Sequence, residues 1–189
     1  EMAKALPYRM EFVVFDACLM GGIEVAYELK DSVDYVLSSP AEILSQGFPY
    51  DKIMQHIFKT PAEIEGVARE YFDFYNGQSG SYRSATVSLV KTSALDGLAA
   101  EAAKIFKEYG KNITSVDTLS IQRYYRSGKH WFYDLGGFAN ALSKGNDSDF
   151  KKALEEAGEY YIGRSQYDSP EVDEEILISS HKRLMKGKF

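Results

Sequence analysis

Apolar residues in this sequence form short continuous runs and short alternating runs, separated by stretches with helical spacing. Residues 12–15 are apolar throughout, as in a strand covered on both faces, and we predict a strand over residues 9–16. Residues 23–30 then follow a helical spacing. A second strand is predicted at residues 35–39, before Pro40. This order predicts a βαβ unit with two parallel strands.

The rest of the chain continues the alternation of helices and strands. Residues 83–91 alternate between apolar and polar side chains and predict a third strand. Pro61, with Thr60 as its cap, suits the opening of a helix. The pattern favours an α/β layered sandwich. Further helices are predicted at residues 51–59, 61–75, 92–109, 134–143 and 148–161, and a last strand at 174–179.

Composition places the chain among globular proteins. It has 189 residues, of which 44% are hydrophobic and 26% charged, so a single domain with a substantial core is expected. The net charge of −6 argues against nucleic acid as the main partner, because phosphate binding needs a basic surface. No apolar run approaches the length of about 20 residues that spans a bilayer.

Cys18 is the single cysteine and the residue with the most promising chemistry. It follows the first predicted strand and precedes a helix, with Gly21 and Gly22 between them. Ligands bind at this edge of open α/β sheets, and a helix N-terminus stabilises a thiolate. The alternative is structural, because a lone cysteine often acts as a small buried hydrophobe.

A cysteine nucleophile usually works with a histidine, and the sequence contains three. His56 lies within a predicted helix and is expected to be packed or solvent-facing there. His130 borders the start of an element and is the best local alternative as a base. His181 lies in the basic tail, which is a poor place for a rigid catalytic group. None of the three satisfies the requirement.

Three segments resemble the clostripain family of cysteine peptidases. Residues 12–29 read Phe-Val-Val-Phe-Asp-Ala-Cys-Leu-Met-Gly-Gly-Ile-Glu-Val-Ala-Tyr-Glu-Leu and resemble the family's nucleophile segment. Residues 39–50, which end in Gly-Phe-Pro-Tyr, are similar to the loop after the next strand. Residues 133–139 are similar to a further family element. The resemblance covers about the first 140 residues in order.

The resemblance implies a caspase-like α/β/α sandwich with a mostly parallel sheet. Residues 1–189 would form a single, partial peptidase domain. The family pairs its cysteine with a histidine upstream, about 50 residues away in the related caspases. Only 17 residues precede Cys18, so we expect the histidine in an upstream segment or an associated light chain, which would complete the domain after proteolytic processing. The amide of Cys18 is expected to form part of the oxyanion hole.

The resemblance also implies a peptide or protein substrate and an extracellular or cell-envelope location. Family members cleave after Arg, sometimes Lys, because carboxylates line the S1 pocket. Asp16 matches one such acid, although a turn or helix-capping role is the alternative. Gln46 stands at the position of the second acid, which weakens the expected preference for basic residues. Glu42 could substitute for that acid, and Asp134 could shape the pocket wall or cap the following helix.

The leading hypothesis is therefore a cysteine endopeptidase with a Cys-His dyad, and the alternative is a catalytically inactive caspase-like interaction module. Nucleotide binding has little support, since no phosphate-binding glycine pattern is present. We expect no cofactor and no metal, because the sequence has no histidine pair or cysteine cluster. Calcium modulates some relatives, but no calcium-binding loop is visible.

Overall fold

The computed structural model describes residues 5–124 and 132–164. Within these ranges the order of elements alternates between strands and helices, as the sequence pattern predicts. The α/β class is therefore confirmed. The elements in chain order are β1 (Met10–Val14), α1 (Ile23–Leu29), β2 (Val33–Ser38), α2 (Tyr50–Ile57), α3 (Ile64–Asn76), β3 (Ala85–Lys91), α4 (Leu95–Tyr109), α5 (Leu135–Ser143), α6 (Ser148–Ala157) and β4 (Gly158–Arg164).

The four strands form one sheet in the order β1-β2-β3-β4. Strands β1 and β2 are parallel, with Val13 opposite Val36, which confirms the predicted βαβ unit. Strands β3 and β4 run antiparallel to their neighbours. The described sheet is mixed, so the expectation of a mostly parallel sheet is wrong for these strands. Each later connection returns the chain to the same end of the sheet at which the preceding strand finished, so the next strand runs in the opposite direction.

Helices cover both faces of the sheet and give a three-layer α/β/α sandwich. On one face, Val13 and Val36 contribute to a core with α1, α4, α5 and α6. On the other face, Phe12 and Leu37 contribute to a core with α2 and α3. Side chains of neighbouring positions on a strand point to opposite faces, so a continuous apolar run is buried on both sides. Residues 12–15 are all apolar because Phe12 and Val14 face one core and Val13 and Phe15 face the other.

Two predicted boundaries are wrong. The helix predicted at residues 148–161 ends at Ala157, and Gly158–Arg164 forms β4 instead, because pairing with β3 outweighs the local helical pattern. The helix predicted from Pro61 begins at Ile64, with Glu63 rather than Thr60 as its N-cap residue. The strand predicted at residues 174–179 lies outside the described residues.

Candidate active site

Cys18 lies in an exposed turn at the carboxyl end of β1. Strand β1 ends at Val14, and helix α1 begins at Ile23 with Gly22 as its N-cap residue. The strand-end position is as predicted, and the helix begins at Ile23, also as predicted, five residues after Cys18. The thiol is exposed. Exposure argues against the alternative in which Cys18 is a small buried hydrophobe.

Two backbone groups of Ile43 surround the sulfur. The amide of Ile43 donates a hydrogen bond to Sγ of Cys18 over 3.3 Å, and the carbonyl of Ile43 lies 3.6 Å from the same atom. The thiol is the donor towards that carbonyl and the acceptor towards the amide, so both backbone groups of Ile43 help to hold the sulfur in place. The amide of Cys18 itself donates to no acceptor in the described part of the chain, so it is available to a ligand.

The turn after Cys18 is held by the segment that follows β2. The amide of Leu19 donates to the carbonyl of Ala41 over 2.9 Å, and the amide of Gly21 donates to the carbonyl of Ser39 over 2.8 Å. Leu19 has a φ of 62°, a conformation that costs a side-chain-bearing residue about 1 kcal/mol or more. The two hydrogen bonds offset this strain and fix the backbone around Cys18. Nothing in the sequence signals the conformation of Leu19.

Asp16 is bonded to the loop that precedes α2. The hydroxyl of Tyr50 donates to Oδ2 of Asp16 over 2.9 Å, and the amide of Phe48 donates to the same oxygen over 3.4 Å. Helix α1 starts at Ile23 without a side-chain cap, so the helix-capping alternative for Asp16 does not hold. The bond with Asp16, helped by partial burial, raises the pKa of Tyr50 above its usual value. Asp16 and Tyr50 therefore form a hydrogen-bonded pair, and Asp16 precedes Cys18 by two residues.

Gly47 makes the close approach of this loop to Asp16 possible. Its φ is 64°, and a Cβ atom at this position would lie 2.6 Å from Oδ2 of Asp16. The hydroxyl of Tyr75 donates to the carbonyl of Gly47 over 2.8 Å. The loop thus needs glycine for its backbone conformation and for its contact with the carboxylate.

Two tyrosines of α3, Tyr71 and Tyr75, form an aromatic cluster with Phe48 of the loop that precedes α2. The ring of Tyr71 stacks on Phe48 with centroids 4.2 Å apart and meets Tyr75 edge-on at 5.1 Å. All three side chains are buried. Burial and the nearby charge of Asp16 raise the pKa of Tyr75 to about 12. Burial, followed by the charges of Tyr75, Asp16 and Cys18, raises the pKa of Tyr71 still further.

The other residues predicted to bind substrate lie in two separate parts of the fold. Gln46 is exposed and directly precedes Gly47, the residue whose backbone approaches Asp16. Glu42 is half-buried in the segment between Ala41 and Ile43.

Asp134 is the N-cap of α5 and accepts a hydrogen bond from the amide of Gly137 over 2.6 Å, so the capping interpretation is confirmed. Sequence analysis did not predict the aromatic cluster, because Tyr71 and Tyr75 have the spacing of ordinary helix core and their contact with Phe48 depends on the tertiary structure.

His56 lies in α2, and its ring contacts residues at the start of α3 and within it. Its Nδ1 lies 3.0 Å from Glu63, its Nε2 lies 3.6 Å from Glu70, and its ring packs against Gly66. This agrees with the expectation of a packed helical histidine. His130 and His181 lie outside the described residues.

Within residues 5–124 and 132–164, no group of three or more His, Cys, Asp or Glu side chains is arranged to hold a metal ion. No described helix combines the length and the apolar character that crossing a membrane requires. The exposed thiol and the backbone amide on its sulfur are suited to nucleophilic attack on a carbonyl group.

The family model and the solved structures agree on one family and one fold. The model of the clostripain family, Peptidase_C11, matches residues 1–179. The chain superposes on a crystal structure of a clostripain from Bacteroides thetaiotaomicron, in complex with the peptide inhibitor BTN-VLTK-AOMK, with a TM-score of 0.77 and 27% identity over 88% of this chain and 76% of that one. It also superposes on an inactive zymogen of a C11 protease from Parabacteroides distasonis, with a TM-score of 0.78 and 31% identity over 90% of this chain.

The chain is shorter than several of these relatives. It spans 50% of the length of the P. distasonis zymogen and 46% of a secreted C11 cysteine protease from B. thetaiotaomicron, on which it superposes with a TM-score of 0.76, 27% identity and 86% coverage of this chain. A separate short match, 49% identical over 43 residues, joins the chain to the ribosomal protein uS12 methylthiotransferase RimO of Phocaeicola vulgatus. That match covers 22% of this chain and 10% of the relative, too little of either to indicate a family.

Proposed function

The chain belongs to the clostripain family of cysteine peptidases, and we propose from this that it carries the nucleophile of an endopeptidase that cleaves peptide bonds in protein substrates. The observation that carries the proposal is the exposed Sγ of Cys18, which accepts a hydrogen bond from the amide of Ile43. The fold places this sulfur at the carboxyl end of β1, where open α/β sheets bind ligands. The carboxylate of Asp16 lies two residues away along the chain.

In the proposed reaction the thiolate of Cys18 attacks the carbonyl carbon of the scissile peptide bond. A bond forms between Sγ and that carbon, and negative charge moves to the carbonyl oxygen. The amide of Cys18 is available to donate to this oxygen. The carbon–nitrogen bond then breaks, the amine leaves with a proton from a general acid, and a thioester remains. Water then attacks the thioester and gives a proton to the group that served as the general acid, which releases the acid product and restores the thiolate of Cys18.

We assign the general acid to a histidine outside the described part of the chain. His56 is unsuitable because Glu63 and Glu70 flank its two ring nitrogens. The family resemblance supports a histidine upstream of Cys18, on an N-terminal segment or an associated light chain. His130 is the alternative within this chain. The proposed reaction requires neither a metal nor a cofactor, and calcium would act only as a modulator.

Asp16 is proposed to bind a basic side chain at the P1 position of the substrate. Its exposed carboxylate lies close to the nucleophile in sequence and is held by Tyr50 and Phe48. The inhibitor in the B. thetaiotaomicron clostripain structure, BTN-VLTK-AOMK, has a peptide sequence, VLTK, that ends in lysine. Gln46 supplies an amide where the resemblance leads us to expect a second acid, so the attraction for a cation is weaker than with two carboxylates.

We propose an extracellular or cell-envelope location for this protein. The support is the similarity to the secreted C11 protease of B. thetaiotaomicron. Peptides in that environment would be the substrates.

The test is hydrolysis of fluorogenic peptides by the full-length protein, produced with its natural upstream sequence. The peptides carry Arg, Lys, Ala or Asp at P1, and Cys18→Ala is the control. Cleavage after Arg or Lys that disappears in the variant supports the proposal. Cleavage after Ala supports the mechanism and contradicts the role of Asp16. Absence of cleavage, with the upstream sequence present, would favour the inactive interaction module.

A further inference from the structure

Two hydroxyl groups are buried against each other at the end of the sheet that carries Cys18. Ser39 directly follows β2, and Thr86 is the second residue of β3. Their side-chain oxygens are 2.8 Å apart, and the two residues are 0% and 2% exposed. A buried hydroxyl gives up its hydrogen bonds to water, so it is tolerated only where protein groups replace them. At this degree of burial neither side chain contacts a substrate.

The hydrogen bonds of the pair have one arrangement that uses every proton. The side-chain oxygen of Ser39 lies 3.1 Å from the carbonyl oxygen of Ala41 and 3.2 Å from the amide nitrogen of Ala41. If Ser39 donated to Thr86, the hydroxyl proton of Thr86 would have no acceptor in the part of the chain that the structure describes. Thr86 therefore donates to Ser39, and Ser39 donates to the carbonyl of Ala41 and accepts from its amide.

Ala41 connects this pair to the backbone of Cys18. Its carbonyl accepts a second hydrogen bond, 2.9 Å long, from the amide of Leu19, which is part of the peptide group that joins Cys18 to Leu19. Leu19 is the residue with the unfavourable φ of 62°. The carbonyl of Ser39 also accepts a hydrogen bond from the amide of Gly21, over 2.8 Å. Two carbonyls, those of Ser39 and Ala41, thus hold the backbone that follows the nucleophile.

The same segment reaches the sulfur atom itself. Ile43 lies two residues after Ala41 and donates its amide to Sγ of Cys18 over 3.3 Å. A displacement of Ala41 would therefore move both the backbone of Cys18 and the hydrogen-bond donor on its sulfur. Reaction rates are sensitive to such displacements, because a misplacement of about 1 Å can reduce the rate by about 10²-fold. Sites keep this precision through supporting groups that are fixed by packing and hydrogen bonds.

We propose that Ser39 and Thr86 are positioning residues for the nucleophile. The hydroxyl of Thr86 orients the hydroxyl of Ser39, which holds the peptide groups of Ala41 and so keeps Cys18 aligned for attack. This inference rests on the proposed function of Cys18 as the nucleophile. Because neither hydroxyl contacts the substrate, their loss should lower kcat and leave KM nearly unchanged.

The experiment measures kcat and KM of the full-length protein, produced with its natural upstream sequence, on the fluorogenic peptide that the wild-type protein cleaves fastest. Thr86→Val replaces the hydroxyl by a methyl group and should lower kcat by about threefold to tenfold, with KM within about twofold of the wild-type value. Thr86→Ser keeps a hydroxyl and should restore kcat to within about twofold. Ser39→Ala should lower kcat by about tenfold or more, because the carbonyl and the amide of Ala41 both lose a hydrogen bond.

A double variant tests whether Thr86 acts through Ser39. When Ser39→Ala is already present, Thr86→Val should lower kcat no further, since the hydroxyl of Thr86 then has no partner to orient. Losses of kcat that multiply in the double variant would overturn the inference.

Thr92→Val is the matched control. Thr92 lies just beyond the other end of β3 and is 1% exposed, and its hydroxyl donates to the carbonyls of Val33 and Asp34. The substitution is chemically the same as Thr86→Val, and we expect at least as large a decrease of the urea midpoint, with the kcat of the wild-type protein. A loss of kcat in Thr92→Val as large as that in Thr86→Val would show that reduced stability explains both, and would overturn the inference.

Cys18→Ala separates this inference from the proposed function. If Cys18→Ala is inactive while Thr86→Val keeps the wild-type kcat, or raises KM instead, the inference fails and the proposed function stands. If Cys18→Ala keeps the wild-type activity, or the wild-type protein cleaves no peptide, the proposed function fails, and the inference fails with it.

Discussion

The hydroxyl of Tyr75 donates a 2.8 Å hydrogen bond to the backbone carbonyl of Gly47, the residue that packs against the carboxylate of Asp16. Tyr75 is buried in α3, whereas Asp16 is exposed and lies two residues before Cys18 in the sequence. The bond therefore links a core helix to the loop that orients the proposed substrate-binding acid. Binding sites gain precision when supporting groups of this kind are themselves fixed by packing.

Tyr75→Phe should destabilise the protein by about 1 kcal/mol, because the carbonyl of Gly47 loses its partner. Tyr71→Phe is a matched comparison on the same helix. The hydroxyl of Tyr71 is buried and has no hydrogen-bond partner among the described residues, so its removal should be neutral or slightly stabilising. Urea denaturation of the two variants measures the difference. A loss of stability in Tyr71→Phe equal to that in Tyr75→Phe would contradict the assignment of partners.

Gly47→Ala should destabilise the loop and weaken selection of basic P1 residues. The new Cβ would overlap Oδ2 of Asp16, and the φ of 64° disfavours alanine. Gly80→Ala provides the control, since Gly80 has a similar φ of 58° but nothing within 4 Å of an added Cβ. Both variants should lose about 1 kcal/mol through the backbone alone. Only Gly47→Ala should also change the peptide panel, and an equal change in both would argue against the contact with Asp16.

Gly21→Ala should reduce both stability and activity. Its Cβ would lie 2.6 Å from the carbonyl carbon of Ser39 and also overlap Pro40, and backbone atoms cannot move aside easily. We expect a loss of about 2 kcal/mol or more, as for other overpacked sites. At the neighbouring Gly22, an added Cβ would meet only the flexible side chain of Glu24, at 3.2 Å. Thermal unfolding should therefore show a much smaller effect for Gly22→Ala.

Cys18 should be the site of inactivation by iodoacetamide. It is the single cysteine of this chain and is exposed, so intact mass measurement of the chain should show one added group and Cys18→Ala should show none. Activity should fall in parallel with labelling. In Cys18→Ala it should be lower by at least about 10³-fold, since loss of a nucleophile removes the covalent route. Activity that survives complete labelling would exclude Cys18 as the nucleophile.

Stability should decrease in alkaline solution above about pH 10. Burial raises the pKa of Tyr75 to about 12 in the folded protein, whereas the same group in the unfolded chain ionises near pH 10. Its contribution is fully present below pH 10, and it is lost as the pH rises towards 12, because the unfolded state releases its proton first. Urea midpoints at pH 9, 10 and 11 test this. Tyr75→Phe should show a smaller decline than the wild-type protein, and identical declines would contradict the prediction.

The sequence alone was sufficient to predict the class of fold and the position of Cys18 at the carboxyl end of the first strand. The apolar run at residues 12–15 predicted a strand covered on both faces, and the structure has cores on both sides of β1. Residues close together along the chain, such as Asp16 and Cys18, stay close in any fold, so local patterns can identify them. Asp134 as a helix cap was predictable for the same reason, because its partner is only three residues away.

Tertiary structure alone decided the direction of β3 and β4 and the surroundings of Asp16 and Cys18. The amide on the sulfur of Cys18 comes from Ile43, and the hydroxyl on Asp16 comes from Tyr50, both far along the chain. The strand at Gly158–Arg164 likewise depends on pairing with β3. Sequence periodicity reports which face of an element is buried, but not which distant backbone group lies opposite it, because that is fixed only when the elements pack together.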